Sequence, residues 1–331
     1  MDEAQERLLR KTYGEILSGY SIVKYNNKNI YIKHLTPIDQ LNVDYLYSSY
    51  YKLAIKKGYS SRDDRIKQLI KDQIWAKSEN EDVIESLKES IKSLYLSKRK
   101  AFRQSDFDNI NKQIQDQEKL LLEKVTTNNI LIGATAEKFA QKKVDDYVLY
   151  TSLYKDKELK NKLFNKEDYD NLKIEEIEEL YNSYYEMVNS LIETNIKKVA
   201  LSQFFQNVYQ LAENINQFFG KAVAHLTHYQ VQLCAYGNFY KNVLTGDARP
   251  PESVLANPDK LEDWFFGQAH INEMLKKVDK DGNEASLVGL TDKDKEFLGI
   301  DAPMERVDMK KKLQEAGGEI PMTELMKIED A

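Results

Sequence analysis

The chain has 331 residues, of which 41% are hydrophobic and 31% charged, a composition too apolar for an intrinsically disordered protein. Its formal net charge of -6 argues against a surface built to bind nucleic acid or anionic lipid. The single cysteine, Cys234, excludes an internal disulfide and a cysteine-cluster metal site, and it favours a reducing compartment. Because no apolar segment is long enough for a membrane span or an export signal, we expect an intracellular protein.

The first elements are predicted from local patterns. Residues 2–17 have the apolar spacing of an amphipathic helix. The segment of about 21–34 is rich in Ile, Val and Tyr on both sides of Asn26-Asn27-Lys28-Asn29. Because Asn tolerates the backbone conformation of tight turns, this pattern predicts a small β-hairpin. The segment Thr36-Pro37-Ile38-Asp39 then predicts a helix start, with a Thr N-cap, Pro at the first position and an acidic residue near the positive end of the helix dipole.

The region of about 82–126 has the most regular apolar spacing in the chain. Two runs at coiled-coil spacing flank a basic cluster. The first run is Ile84, Leu87, Ile91 and Leu94, the cluster is Lys98, Arg99, Lys100 and Arg103, and the second run is Ile110, Ile114, Leu121 and Val125. This pattern predicts a protruding antiparallel helical hairpin, with one long helix as the alternative. We expect the basic cluster to be a solvated hairpin tip, because it lacks the stacking aromatics of a nucleic-acid site.

The remaining chain divides at about residue 243. Helical patterns over 36–75 and 130–243 predict the core of a domain that spans 1–243. In 244–331, three prolines between positions 250 and 258 predict an extended connector, followed by a docked or partner-binding tail with a turn at Asp281-Gly282-Asn283. The expected fold is therefore mainly α, a multi-helix domain with a small N-terminal β-hairpin, a helical hairpin and an extended C-terminal tail.

No catalytic motif is recognisable. The sequence lacks a nucleophile elbow, a Gly-rich phosphate loop and a metalloprotease motif. His225, His228 and Cys234 are too few, and too poorly spaced, for a metal site that needs three or four converging ligands. We therefore predict a protein that is not an enzyme, with no catalytic residue, no cofactor and no metal.

The strongest functional candidates are large apolar side chains just after the prolines. They are Leu261, Trp264, Phe265 and Phe266. Such residues either attach the tail to the core of the same chain or form an anchor for another protein. The sequence leaves both alternatives open.

Two blocks of the sequence carry a resemblance to known proteins. The block YNNKNIYIKHLTPIDQLNVDYLY, residues 25–47, is similar to the start of tail-assembly chaperones and baseplate-hub assembly proteins of tailed bacteriophages, where a short hairpin precedes a helix. The block from 219 to 266 resembles a stretch of large-phage tail-region proteins. Its matching residues are Leu226, Thr227, Gln230, Tyr240, Pro251, Leu261, Asp263 and Trp264. Glu262 and His225 depart from that pattern.

The resemblance implies a non-enzymatic protein of phage tail or baseplate morphogenesis, either an assembly chaperone or a structural component. Its partners would be other phage tail or baseplate proteins, with no nucleic acid and no membrane, and self-association stays open. Its location would be the host cytoplasm or the virion tail. The alternative is a generic helical coiled-coil adaptor protein with no viral role.

Overall fold

The protein is mainly helical with a small antiparallel sheet near its N-terminus, which confirms the predicted fold class. The computed structural model describes residues 3–101, 103–246 and 248–281, and it describes their side chains except at 104 and 270–281. Of the turn predicted at Asp281-Gly282-Asn283, Asp281 is the last residue of α14, and the other two residues and the tail that follows lie outside the described residues. In the described part, no helix combines the length and the apolar character of a membrane span.

The helices follow the chain in this order: α1 (Glu3–Ser18), α2 (Pro37–Lys56), α3 (Arg62–Lys71), α4 (Lys77–Lys98), α5 (Gln104–Ile132), α6 (Ala136–Ser152), α7 (Lys166–Asp170), α8 (Ile174–Ser190), α9 (Glu193–Leu201), α10 (Gln203–Tyr209), α11 (Ile215–Phe219), α12 (His228–Thr245), α13 (Glu252–Leu255) and α14 (Pro258–Asp281). A short 3-10 helix, Val223–His225, precedes α12. The strands are β1 (Tyr20–Tyr25), β2 (Lys28–Lys33) and β3 (Leu153–Tyr154), in the sheet order β1-β2-β3.

The predicted β-hairpin is formed by β1 and β2. Tyr25 pairs with Lys28, and Asn26 and Asn27 between them have φ angles of 48° and 58°. Two consecutive left-handed residues make the kind of tight turn that matches strand twist, and Asn adopts that backbone at low cost. The third strand is an addition to the prediction. It has two residues and pairs with β2 from the end of α6, so its own sequence carries too little pattern to reveal it.

The start of α2 has the predicted capping geometry. The Thr36 hydroxyl accepts a hydrogen bond from the Asp39 amide at 3.3 Å, and an Asp39 carboxylate oxygen accepts one from the Thr36 amide at 2.9 Å. Pro37 occupies the first turn, where a missing N–H costs nothing. Lys33, the last residue of β2, donates to both Asp39 oxygens at 2.8 and 2.7 Å. The end of the hairpin and the start of α2 are thereby held together.

The chain forms two compact units. Unit 1 comprises Met1–Ser86 and Leu120–Thr245, and unit 2 comprises Leu87–Lys119 and Gly246–Ala331. In unit 1, α1 and α8 contact β1, and α6 contacts β2. Away from the sheet, α2 packs on α6, and α9 packs on both α1 and α12. Ile66, Leu69, Trp75 and Ile132 form one buried cluster of this unit.

Unit 2 combines residues 87–119, the part of the helical hairpin that contains its turn, with the C-terminal segment. The predicted hairpin is two helices, α4 and α5, and Tyr95 on α4 donates to Glu118 on α5 at 3.1 Å. The seam residues Leu87, Ile91 and Leu94 are only half-buried. A two-helix seam needs further apolar surface, and residues 87–119 of the hairpin group with the C-terminal segment, whereas the rest of the predicted hairpin belongs to unit 1.

The C-terminal segment differs from its prediction. The expected extended connector at 250–258 contains the short helix α13, and Pro258 begins the long helix α14. The reason lies at Asn257, whose side-chain oxygen accepts hydrogen bonds from the amides of Asp259 and Lys260 at 3.0 and 3.2 Å. An Asn cap followed by Pro is a helix start, as Thr36-Pro37 is for α2.

Candidate functional site

The four residues predicted to mediate an interaction lie on the first turns of α14. Leu261 and Trp264, which belong to unit 2, are buried, and Trp264 is only 2% exposed. Phe265 and Phe266 are half-buried and meet edge to face, with ring centroids 5.6 Å apart. In this conformation the indole of Trp264 is covered by its own chain, so a partner could reach it only after α14 had moved.

An ion pair and a cation-π contact hold α14 against the end of α4. Lys98 Nζ lies 2.8 Å from an Asp263 oxygen, and both side chains are largely buried. Burial raises the pKa of the Asp263 carboxyl, while hydrogen bonds from Lys98 and Asn111 oppose this rise. The Arg99 guanidinium lies 5.6 Å from the centroid of the Phe266 ring. Two residues of the basic cluster therefore contact α14, which corrects the expectation of a solvated hairpin tip.

The candidate metal residues do not converge. His225 and His228 are exposed, whereas Cys234 is buried. Burial raises the pKa of the Cys234 thiol to about 12. No group of three or more His, Cys, Asp or Glu side chains in the described part of the chain could hold a metal ion.

A buried polar chain links α1, β1 and the end of β2. The Ser21 hydroxyl donates to Glu15 Oε2 at 2.8 Å, and His34 Nε2 lies 2.9 Å from the same hydroxyl oxygen. Since Ser21 has one hydrogen and gives it to the carboxylate, His34 must donate from Nε2. This leaves Nδ1 as the unprotonated atom, and Nδ1 has no hydrogen-bond partner among the described residues.

The hydrogen-bonded group of Glu15, Ser21 and His34 has the residue types of a hydrolase triad but not their order. The serine lies between the acid and the histidine, so the histidine cannot accept the hydroxyl proton in this arrangement. Ser21 and His34 are both almost fully buried, out of reach of a substrate. Burial lowers the pKa of His34 to about 4 and keeps its ring neutral at physiological pH. We therefore assign these three residues a structural role, in which they hold α1, β1 and the end of β2 together.

Residues of the two sequence blocks 25–47 and 219–266 meet next to His34. The amide of His228 donates to the Leu35 carbonyl at 3.3 Å, and the His34 and Tyr229 rings lie 5.1 Å apart. Thr227 and Gln230 exchange reciprocal hydrogen bonds at the start of α12, and Gln230 also donates to the carbonyl of Ile16 at 2.9 Å. The matched residues Thr227 and Gln230 thus have a structural role: they cap α12 and bind the end of α1.

A polar cavity of about 190 Å³ lies in unit 1 between α2, the end of α6 and the segment after β3. Its polar lining includes Lys33, Asp39, Asn42, Ser152, Tyr154 and Lys162. Sequence reasoning missed this site because its residues come from segments more than a hundred positions apart. Lys162 lies in a charged stretch that has no motif of its own.

Three apolar residues of α2 form an exposed stripe. Ile38, Leu41 and Tyr45 are spaced by three and four positions, so they share one helix face. Their exposed fractions are 44%, 69% and 73%. Exposed apolar side chains are common singly, but a row on one helix face is typical of a protein contact. The sequence predicts residues 36–75 as part of the core, and the exposure of these three side chains shows that this face of α2 does not pack there.

No protein-family model matches this sequence, and no significant match was found to a curated protein or to a solved structure.

Proposed function

We propose that this protein is a non-enzymatic component or assembly factor of a phage tail or baseplate, and that it acts by binding another tail or baseplate protein. The observation that carries the proposal is the exposed stripe of Ile38, Leu41 and Tyr45 on α2. The stripe lies within residues 25–47, the block that resembles phage tail-assembly proteins.

The predicted anchor at Trp264 is a weaker contact site than the stripe. Its indole is buried, whereas Leu41 and Tyr45 are exposed in the folded protein without rearrangement. Tyr is enriched among the residues that contribute most to binding at the centre of an interface, and Tyr45 is the most exposed residue of the stripe. We therefore assign the protein contact to α2.

Affinity purification from infected cells tests the assignment. The proteins compared are the tagged wild type, the variant Leu41→Ser/Tyr45→Ser, and a matched control on the same helix, Gln40→Ala/Asp44→Ala. The control removes only an exposed 2.9 Å hydrogen bond between two polar side chains. Mass spectrometry should identify tail or baseplate proteins with the wild type and the control, and at least about tenfold less of them with the stripe variant.

Two results would contradict the proposal. One is that no identified tail or baseplate protein is enriched with the wild type. The other is that the stripe variant retains the same partners at the same level. Enrichment of host proteins alone would favour the generic helical adaptor. Mass spectrometry of purified particles then separates a structural component, which stays in the particle, from a chaperone, which leaves.

A further inference from the structure

The polar cavity of unit 1 has an uneven distribution of charge. Three of its lining residues are charged, namely Lys33, Asp39 and Lys162. Lys33 binds both oxygens of Asp39, and Asp39 also accepts hydrogen bonds from the amide and the hydroxyl of Thr36. Burial opposes ionisation of Asp39, but these bonds outweigh it and lower the pKa of the carboxyl. The opposite charges of Lys33 and Asp39 therefore balance each other within the cavity.

Lys162 is the remaining cation of the cavity. Its ammonium donates to the Thr151 carbonyl and, at 2.7 Å, to the Tyr154 hydroxyl, and it lies 4.1 Å from the centroid of the Tyr154 ring. All of these groups are neutral. Among the described residues, no carboxylate lies within ion-pair distance of Lys162. Burial lowers the pKa of Lys162, the positive charge of Lys33 lowers it further, and Asp39 opposes both effects. Lys162 is thus a half-buried ammonium whose partners are all neutral, and an anion in the cavity would supply the missing counter-ion.

Ser152 supplies an independent observation. It is the last residue of α6, it lines the cavity, and it is 1% exposed. Its hydroxyl has no hydrogen-bond partner in the part of the chain that the structure describes. Buried hydroxyls are nearly always paired in folded proteins, so an unpaired one at the wall of a cavity indicates a missing acceptor.

We propose that this cavity binds a single carboxylate group, with the Lys162 ammonium as its counter-ion and the Ser152 hydroxyl as a hydrogen-bond donor. One unpaired positive charge matches one carboxylate. A phosphate group carries more charge and usually recruits Arg or several backbone amides, and the cavity lining contains no Arg.

The size of the cavity limits the ligand. Its volume of about 190 Å³ lies below the roughly 300–1,000 Å³ of sites that enclose a drug-sized ligand. This space admits a carboxylate with a short carbon chain, and it is too small for a nucleotide or another large metabolite. The source of the carboxylate is therefore either a small free acid or the side chain of a Glu or Asp on another protein. This proposal is independent of the function assigned to α2.

Nuclear magnetic resonance of lysine side chains in the full-length protein tests the proposal. The probes are sodium acetate, inorganic phosphate at matched ionic strength, and a short capped peptide with one central Glu. Acetate should shift the Lys162 signals in a saturable manner and raise the pKa of Lys162, because the bound anion stabilises its charged form. Ser152→Ala should weaken acetate binding by about tenfold.

The variants Lys162→Met and Lys160→Met form a matched pair. Lys160 is exposed and does not line the cavity, so its replacement should leave acetate binding unchanged. Lys162→Met should abolish saturable binding. Tighter binding of the peptide than of acetate would identify a protein as the source, whereas tighter binding of acetate would identify a free acid. The wild-type titration alone overturns the proposal if acetate gives no saturable shift at Lys162, or if phosphate binds in preference.

Discussion

Replacement of Trp264 by alanine should destabilise unit 2 and leave unit 1 largely intact. A buried tryptophan removes about 150–250 Å² from water, which at about 25 cal/mol per Å² corresponds to roughly 4–6 kcal/mol. Trp264 is 2% exposed, so it obtains nearly all of this gain. Its indole N–H, however, has no hydrogen-bond partner in the described part of the chain. That deficit costs about 1–3 kcal/mol, and the expected net loss for Trp264→Ala is about 3 kcal/mol.

Hydrogen exchange measured by mass spectrometry localises this loss. Amides of 87–101 and 258–269 should exchange about a hundredfold faster in Trp264→Ala, while amides of α2 and α6 keep their protection. Trp264→Phe should cost less than about 1.5 kcal/mol, because it keeps most of the apolar volume and removes the unpaired N–H. Leu96→Ala is the matched control, since Leu96 belongs to the same unit and is exposed. Unchanged exchange of both segments in Trp264→Ala would refute the assignment of this residue to the core of unit 2.

Three further substitutions test other contacts. Lys98→Met leaves the buried Asp263 carboxylate without its ion-pair partner and should lower the urea midpoint by the equivalent of about 3 kcal/mol. The double variant Lys98→Met/Asp263→Asn should recover much of this lost stability. Equal effects of the single and double variants would count against the ion pair. His34 has a pKa of about 4 when folded and about 6.5 when unfolded. The contribution of His34 to the free energy of unfolding is therefore fully present above pH 6.5. It should fall by about 3 kcal/mol as the pH drops to 4, since in this range the proton binds mainly to the unfolded chain. A His34→Gln variant whose stability falls equally steeply with pH would contradict the assignment of this loss to His34. Gln230→Ala removes the hydrogen bonds that join α12 to the end of α1 and should cost about 1–3 kcal/mol, with faster amide exchange in α1 as the localised readout and unchanged exchange there as the contrary result.

The elements that the sequence predicts well are those determined by neighbouring residues. The hairpin turn follows from the backbone preference of Asn26 and Asn27, and the start of α2 follows from Thr36, Pro37 and Asp39, which lie within one turn of each other. Such features need no information from distant parts of the chain. The same logic applies at Pro258, where the Asn cap and Pro should have indicated a helix start, but the nearby Pro250-Pro251 pair led to the interpretation of an extended connector.

The features that the sequence did not reveal depend on distant segments. The cavity joins α2 to residues 147–162, and Lys162 becomes significant only because folding places it beside Lys33 and Asp39. The placement of α14 likewise depends on Lys98 and Asn111, which bind the Asp263 carboxyl and precede it by more than 150 positions. Whether an aromatic side chain is an anchor or part of a core is decided by such contacts, and a linear pattern of aromatic residues is the same in both cases.

The most direct test of the proposed function is electron microscopy of particles made by a phage from which the gene has been deleted. The account predicts heads that lack complete tails or baseplates, with normal particles restored when the wild-type protein is supplied from a plasmid. Restoration should fail for Leu41→Ser/Tyr45→Ser and succeed for Gln40→Ala/Asp44→Ala. Complete tails at the normal frequency in the deletion phage would contradict a role in tail or baseplate morphogenesis.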